Sequence, residues 1–168
     1  MFFRDIIGHS ELKHRLVEMV DSGRIPHAQL YTGAEGVGKL ALALAVAQYI
    51  CCEHREGGES CGRCPSCVQF AKLSHPDLHF VFPMATRDGV KVCADMIDTF
   101  RSAVLANPYI SLNEWMNEAS DGKSVQIYAA EGEEIIRKLT FKPYQGQYKV
   151  MLVWIPEKMH EACANKVL

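Results

Sequence analysis

The 168-residue sequence predicts an α/β domain built on a mainly parallel sheet flanked by helices. Three observations carry that expectation. Candidate strands alternate with helical patterns along the chain. A glycine-rich stretch, Gly33-Ala34-Glu35-Gly36-Val37-Gly38-Lys39, stands between an apolar strand candidate and a helix. Val150-Met151-Leu152-Val153-Trp154-Ile155 is a continuous apolar run of the kind found in a parallel strand buried on both faces.

Taken in order, residues 10–22 read as an amphipathic helix with Ser10 as N-cap, Leu12, Leu16, Met19 and Val20 at helical spacing, and Gly23 as its stop. Ala28-Gln29-Leu30-Tyr31-Thr32 is a short strand candidate running into the glycine-rich stretch. Residues 40–52 carry Ala, Leu, Val and Ile on every face, so this helix must be covered on most sides. Polar residues 53–60 form a loop that opens onto a cysteine cluster, closed by a short helix over 68–73. Leu78-His79-Phe80-Val81-Phe82 is a second strand, ended by Pro83. Residues 92–106 align Val92, Met96, Phe100 and Val104 on a helix broken by Asn107-Pro108. Ser111-Leu112-Asn113-Glu114 has capping-box spacing. Residues 131–139 form a further helix, with Ile135, Ile136 and Leu139, ahead of the 150–155 strand. Residues 157–168 begin an amphipathic helix that stops in mid-pattern, so the chain is expected to be a piece of a longer protein.

Composition narrows the function classes. The chain is 48% hydrophobic and 23% charged, as a globular domain with its own core should be. No apolar run has the length of a membrane span, and Met1-Phe2-Phe3-Arg4-Asp5 is not a secretory leader, so a cytoplasmic protein without a membrane partner is expected. Charge is even: residues 1–50 carry five of each sign, 51–100 five basic and seven acidic, and 101–168 eight of each. The signature of a free-standing DNA binder is missing, and nucleic acid would be met through a larger assembly.

Gly33-x4-Gly38-Lys39 matches most of the Walker A phosphate loop, G-x-x-x-x-G-K-[ST]: glycines let successive N–H groups face phosphate oxygens, lysine reaches the terminal phosphates, and the next helix offers its positive end. The eighth position is Leu40, which cannot ligate Mg2+ as a hydroxyl would. The second half of an ATPase site needs carboxylates ending a later buried strand, yet the run closes Val153-Trp154-Ile155-Pro156 and the first acid beyond is Glu157. The expectation is an ATPase fold without hydrolysis, with Mg2+ not expected as a cofactor and ATP binding in doubt.

Cys52-x8-Cys61-x2-Cys64-x2-Cys67 supplies the four thiolates of a tetrahedral structural zinc site. Cys51 competes as first ligand, because consecutive helical side chains point about 100° apart and one of the pair alone can face the ion. Cys93 and Cys163 fall in helical patterns as core residues. A zinc module that contacts nucleic acid is the competing use of the cluster, with Arg55, Arg63 and Lys72 set against Glu53, Glu56 and Glu59.

Pro26-His27-Ala28, the phosphate loop, the apolar helix, the four-cysteine insertion behind it, Ser74-His75-Pro76-Asp77-Leu78, and Tyr148-Lys149-Val150 through Ala164-Asn165-Lys166-Val167-Leu168 together resemble the N-terminal AAA+ module of bacterial clamp-loader subunits, the gamma/tau and delta-prime group of DNA polymerase III. The resemblance covers residues 1–82 and 131–168, with 84–130 read as an insertion in a single AAA+ domain spanning 1–168. It implies a hetero-oligomeric ring with delta and gamma/tau subunits that loads a sliding clamp on primer-template DNA, within a nucleotidyltransferase holoenzyme. Gamma/tau-like motors carry the loop hydroxyl and an acidic pair where this chain has Leu40 and Trp154-Ile155, so the sequence is similar to the inert delta-prime type. That type offers an arginine finger from a Ser-Arg-Cys motif, which would lie past Leu168. A hydrolysing motor subunit is the alternative.

Overall fold

The computed structural model describes residues 1–120 and 122–167, which form two compact units, Met1–His75 and Pro76–Leu168. Each unit has its own architecture.

The first unit is helical. A 3-10 turn at Phe3–Asp5 precedes α1 (Ser10–Asp21), α2 (Lys39–Cys51) and α3 (Pro65–Phe70). Helix α1 buries Leu16 and Val20. Its N-cap is His9, in the left-handed region at φ 58°, and the expected cap Ser10 is the first helical residue. Gly23 ends the helix at φ 69°, where its N–H and that of Arg24 take the carbonyls of Val20 and Met19. Helix α2 buries every residue from Leu40 to Ile50 except Ala43, as its unbroken apolar surface requires. Phe3 packs edge-on against Tyr49 at 5.6 Å, and the Tyr49 hydroxyl donates to the Asp21 carboxylate at 2.9 Å.

Two expectations change here. The short helix begins at Pro65, because Cys64 caps it through Sγ and Pro65 supplies a preset φ. It cannot run on through 73, since Leu73 sits at φ 51°. Residues 28–32 form no strand: Leu30 is 77% exposed. A strand needs a partner for its N–H and C=O groups, and among the described residues of this unit there is none.

The second unit holds a parallel pair, β1 (Leu78–Val81) and β2 (Val150–Val153), in register from Leu78 opposite Val150 to Val81 opposite Val153. Between and after them come α4 (Ile97–Ala106), α5 (Leu112–Ala119), α6 (Ala129–Thr140) and α7 (Glu161–Val167). The α/β class therefore stands. Ser111 caps α5 with the reciprocal Glu114 contact that its spacing predicts. An aromatic core joins the strands to α4 and α5: Phe82 stacks on Phe100 at 4.0 Å, Trp115 meets both edge-on, and Trp154 lies 5.8 Å from Phe100. Residues 84–130 thus supply part of this core, and Trp115 Nε1 donates to the Pro83 carbonyl at 2.6 Å.

Strand β2 is not buried on both faces as its composition suggests. Val150, Met151 and Leu152 are half-buried and Val153 is exposed, because the described sheet has two strands and leaves the far edge of β2 open. The strand stops where Ile155 enters the left-handed region at φ 55°, followed by a 3-10 turn at Pro156–Lys158. This turn delays the final helix, expected from 157, until Glu161. Cys93 and Cys163 are core residues. Among the described residues no helix is long and apolar enough to cross a membrane.

Candidate phosphate loop and metal centre

Both candidate sites hang on α2. The phosphate loop enters its N-terminal end, and the first cysteine leaves its C-terminal end.

Gly33 to Val37 are exposed, Gly38 caps α2 at φ 87°, and Gly36 turns the loop at φ 76°. These two positions need glycine because a Cβ is disfavoured there. The Lys39 ammonium bends back over the loop and donates to the carbonyls of Gly33 at 2.8 Å and Ala34 at 2.6 Å. His9 Nε2 lies 2.9 Å from the Val37 carbonyl, a contact that the loop motif gave no means of expecting. Glu35 is exposed. Leu40 is buried in the α2 core, so the position where a metal-binding hydroxyl would stand is apolar packing.

At the other end, Cys52 sits just past the last helical turn in an extended conformation, which directs it away from Cys51. The Sγ atoms of Cys52, Cys61, Cys64 and Cys67 all lie within 4.8 Å of one another, and Cys51 is not among them. Three of the thiols each accept the N–H of the next cysteine in the series. The N–H of Cys61 donates to Cys52 Sγ at 3.3 Å, that of Cys64 to Cys61 Sγ at 3.3 Å, and that of Cys67 to Cys64 Sγ at 3.4 Å. The Cys61 and Cys67 sulfurs are 4.0 Å apart. A tetrahedral ion with metal–sulfur bonds of about 2.3 Å separates its sulfurs by about 3.8 Å, so the donors fit such an ion with little movement.

Electrostatics suit a metal thiolate centre. The N–H of Arg63, with that of Cys64 behind it, draws the Cys61 thiol down to about 6, which favours the thiolate. Burial pushes Cys52 and Cys67 up, so in these two a cation is what would hold the charge.

The N-terminus clasps this knuckle, a feature that the sequence did not announce. The Glu59 carboxylate accepts the N–H groups of Phe3 at 3.2 Å and Arg4 at 2.7 Å. The Phe2 ring lies over Gly62, where a Cβ would meet Phe2 Cζ at 2.9 Å and where φ is 72°. Gly62 is therefore required twice, for its backbone and for its missing side chain.

In the second unit, the end of β2 carries no carboxylate: Trp154 belongs to the aromatic core and Ile155 forms the left-handed turn. Asp77, another residue whose role was not legible, is 1% exposed and accepts three N–H groups, from Tyr144, Gln145 and Gly146, at 2.6 to 3.2 Å.

Comparison with known proteins decides the family. The family model described as "DNA polymerase III, delta subunit" matches residues 8–168, running through the 84–130 segment as well. The chain belongs to this family. Its fold is accordingly of the AAA+ type, with a small parallel sheet and a cysteine cluster. Among its relatives, the DNA polymerase III subunit delta' of Bacillus subtilis is 36% identical over 88 residues, 49% of this chain and 25% of that protein. The Yersinia pestis subunit delta' is 33% identical over 90 residues, 52% of this chain and 26% of the relative. DNA polymerase III subunit tau of Escherichia coli is 31% identical over 101 residues, 60% of this chain and 16% of tau. The chain thus spans about a quarter of the delta' proteins and less of tau.

Proposed function

We propose that this chain belongs to a delta-prime-like subunit of the DNA polymerase III clamp loader, a member of the ring that supports clamp loading without hydrolysing ATP. The observation that carries this reading is Leu40. A phosphate cradle remains in backbone form, but the side chain after Lys39 is apolar and buried in α2. Hydrolysis needs a metal clamp and an oriented water, and Trp154 and Ile155 supply neither carboxylate. Partners on this reading are delta and gamma/tau subunits in the cytoplasm, with the sliding clamp and primer-template DNA reached through the assembly.

The cysteine knuckle is proposed to hold one Zn2+ through Cys52, Cys61, Cys64 and Cys67. Bound there, the ion supplies four metal–thiolate bonds in a closed coordination shell. The protein side of that arrangement fixes residues 52–67 against the N-terminal clasp, a bracing role with no position left for a reacting ligand.

A hydrolysing motor subunit is the second reading, favoured by the match to tau relatives. Phosphate release by the purified full-length protein separates the two. The expected rate is indistinguishable from background, and Leu40→Thr alone leaves it there while destabilising the α2 core by about 2–4 kcal/mol. Magnesium-dependent turnover abolished by Lys39→Ala would transfer the assignment to the motor type.

A further inference from the structure

The loop between α6 and β2 exposes aromatic rings on a backbone that is held still. Phe141 is 65% exposed, Tyr144 87% and Tyr148 36%. A cluster of exposed apolar side chains marks a candidate binding surface, and this loop is pinned at both ends. The buried Asp77 carboxylate takes the N–H groups of Tyr144, Gln145 and Gly146. The Lys149 ammonium closes the other side, donating to the carbonyls of Lys138 and Phe141 at 2.7 Å each. Rings on a fixed backbone lose little freedom when something stacks on them.

Charge indicates what that is. From Ile135 to Pro156 the chain has four cations, Arg137, Lys138, Lys142 and Lys149, and no acid, in a protein whose net charge is −2. Arg137 is paired with Glu134 at 2.6 Å, and the Asp77 charge is turned inward on its three N–H groups. Lys142 stands exposed between Phe141 and Tyr144. Gln145 and Gln147, also exposed, add amide donors and acceptors beside the rings.

We propose that the Phe141–Tyr148 loop is a stacking platform for single-stranded nucleic acid, with Phe141 and Tyr144 receiving unpaired bases and Lys142 facing the phosphate backbone. Base–aromatic stacking is tolerant of sequence, because every base presents a π-face, and the phosphates need a cation within the same span. The proposal concerns this chain's own surface and holds for either type of loader subunit. It also differs from a nucleic-acid role for the cysteine knuckle, since no knuckle residue takes part.

The test is fluorescence anisotropy of a labelled oligothymidylate of about twelve bases, within the usual site size for such surfaces, titrated with the purified full-length protein at low ionic strength. Binding is expected to weaken at least tenfold in F141A/Y144A and several-fold in Y144A alone. The conservative Y144F should retain it, and K142A should lower the salt slope by about 0.7. Both rings point into solvent, so unchanged far-UV circular dichroism is expected of each variant, and Y144A, the most exposed site, is read even if the double variant is less stable. Arg63→Ala in the knuckle should have no effect. No binding by the unmodified chain, equal affinity for a duplex of the same length, or unchanged affinity in Y144A and F141A/Y144A would each overturn the proposal. So would a double variant that binds the oligonucleotide normally but loses affinity for purified delta or tau subunits, which would make the loop a protein-docking surface.

Discussion

The phosphate loop and the cysteine knuckle sit at opposite ends of one 13-residue helix, about 20 Å long, and retain opposite parts of a site. At the N-terminal end the glycine turns of the candidate phosphate loop are in place without the side chain that a metal site there would need: Gly36 and Gly38 are left-handed, and Leu40 is packed in the core. At the C-terminal end the side chains are the candidate site, and the four Sγ atoms lie within 4.8 Å of one another. A cradle built from N–H groups survives substitution of its neighbours so long as glycine holds the turn. A metal centre fails when any one donor is lost, so its completeness is the stronger sign of use. The two are also braced differently, the loop by its own Lys39 and by His9, the knuckle by the N-terminal segment through Glu59 and Gly62.

The largest effect should come from Cys64→Ser. Bound zinc, expected at about one ion per chain by elemental analysis, should be lost, and hydrogen exchange over 53–67 should rise to near the unprotected rate. Amides of β1 and β2 should stay protected, because the second unit has its own aromatic core. Equal loss of protection in both units would break the comparison, as would metal-free protein with an unaltered knuckle.

A middle-sized effect is expected at the clasp. Glu59→Ala removes the acceptor of two N–H groups and should lower stability by about 1–2 kcal/mol, read as a shift of the urea midpoint. It should also speed zinc release to a chelator. Unchanged release would mean that the clasp merely abuts the knuckle.

Lys39→Ala should change stability by less than about 0.5 kcal/mol, since the two carbonyls that it caps are exposed and water can replace the ammonium. A cost above about 1.5 kcal/mol would show that the loop depends on its lysine as the knuckle depends on its cysteines.

The smallest expected effect, a control in the second unit, is a pH dependence at His79. Burial, then the charges of Lys138 and Lys149, lower its pKa in the folded state. The unfolded chain therefore takes up the proton more readily. Above an unfolded pKa of about 6.5 the group contributes nothing, and stability falls as pH drops from there toward the lowered folded value. Urea midpoints at neutral and mildly acidic pH should differ more for the unmodified chain than for His79→Gln. An equal difference in both would exclude His79 as the cause.

Much of the fold was legible because helices are specified locally. The uniform apolarity of 40–52 requires a covered helix, and Ser111 with Glu114 fixes the start of α5 through contacts three residues apart. Boundaries moved where local chemistry was overlooked: Cys64 and Pro65 start α3 early, and Pro156 delays α7. The strand expectations for 28–32 and 150–155 read burial from composition, but a strand's burial depends on its neighbours, and no local pattern states whether a partner strand is there.

What the sequence by itself determined is the identity of the donors and the gaps: four cysteines at close spacing, glycines at the turns, a lysine followed by leucine, and no acid between Ile135 and Pro156. These are properties of residue type and separation along a short stretch, which chain connectivity alone brings together. Tertiary structure decided the contacts between distant segments. It chose Cys52 over Cys51 by ending α2 between them, laid Phe2 over Gly62, and closed Asp77 on the N–H groups of a loop 67 to 69 residues away. Such pairings are set by the packing of whole elements, and no spacing in the sequence encodes them.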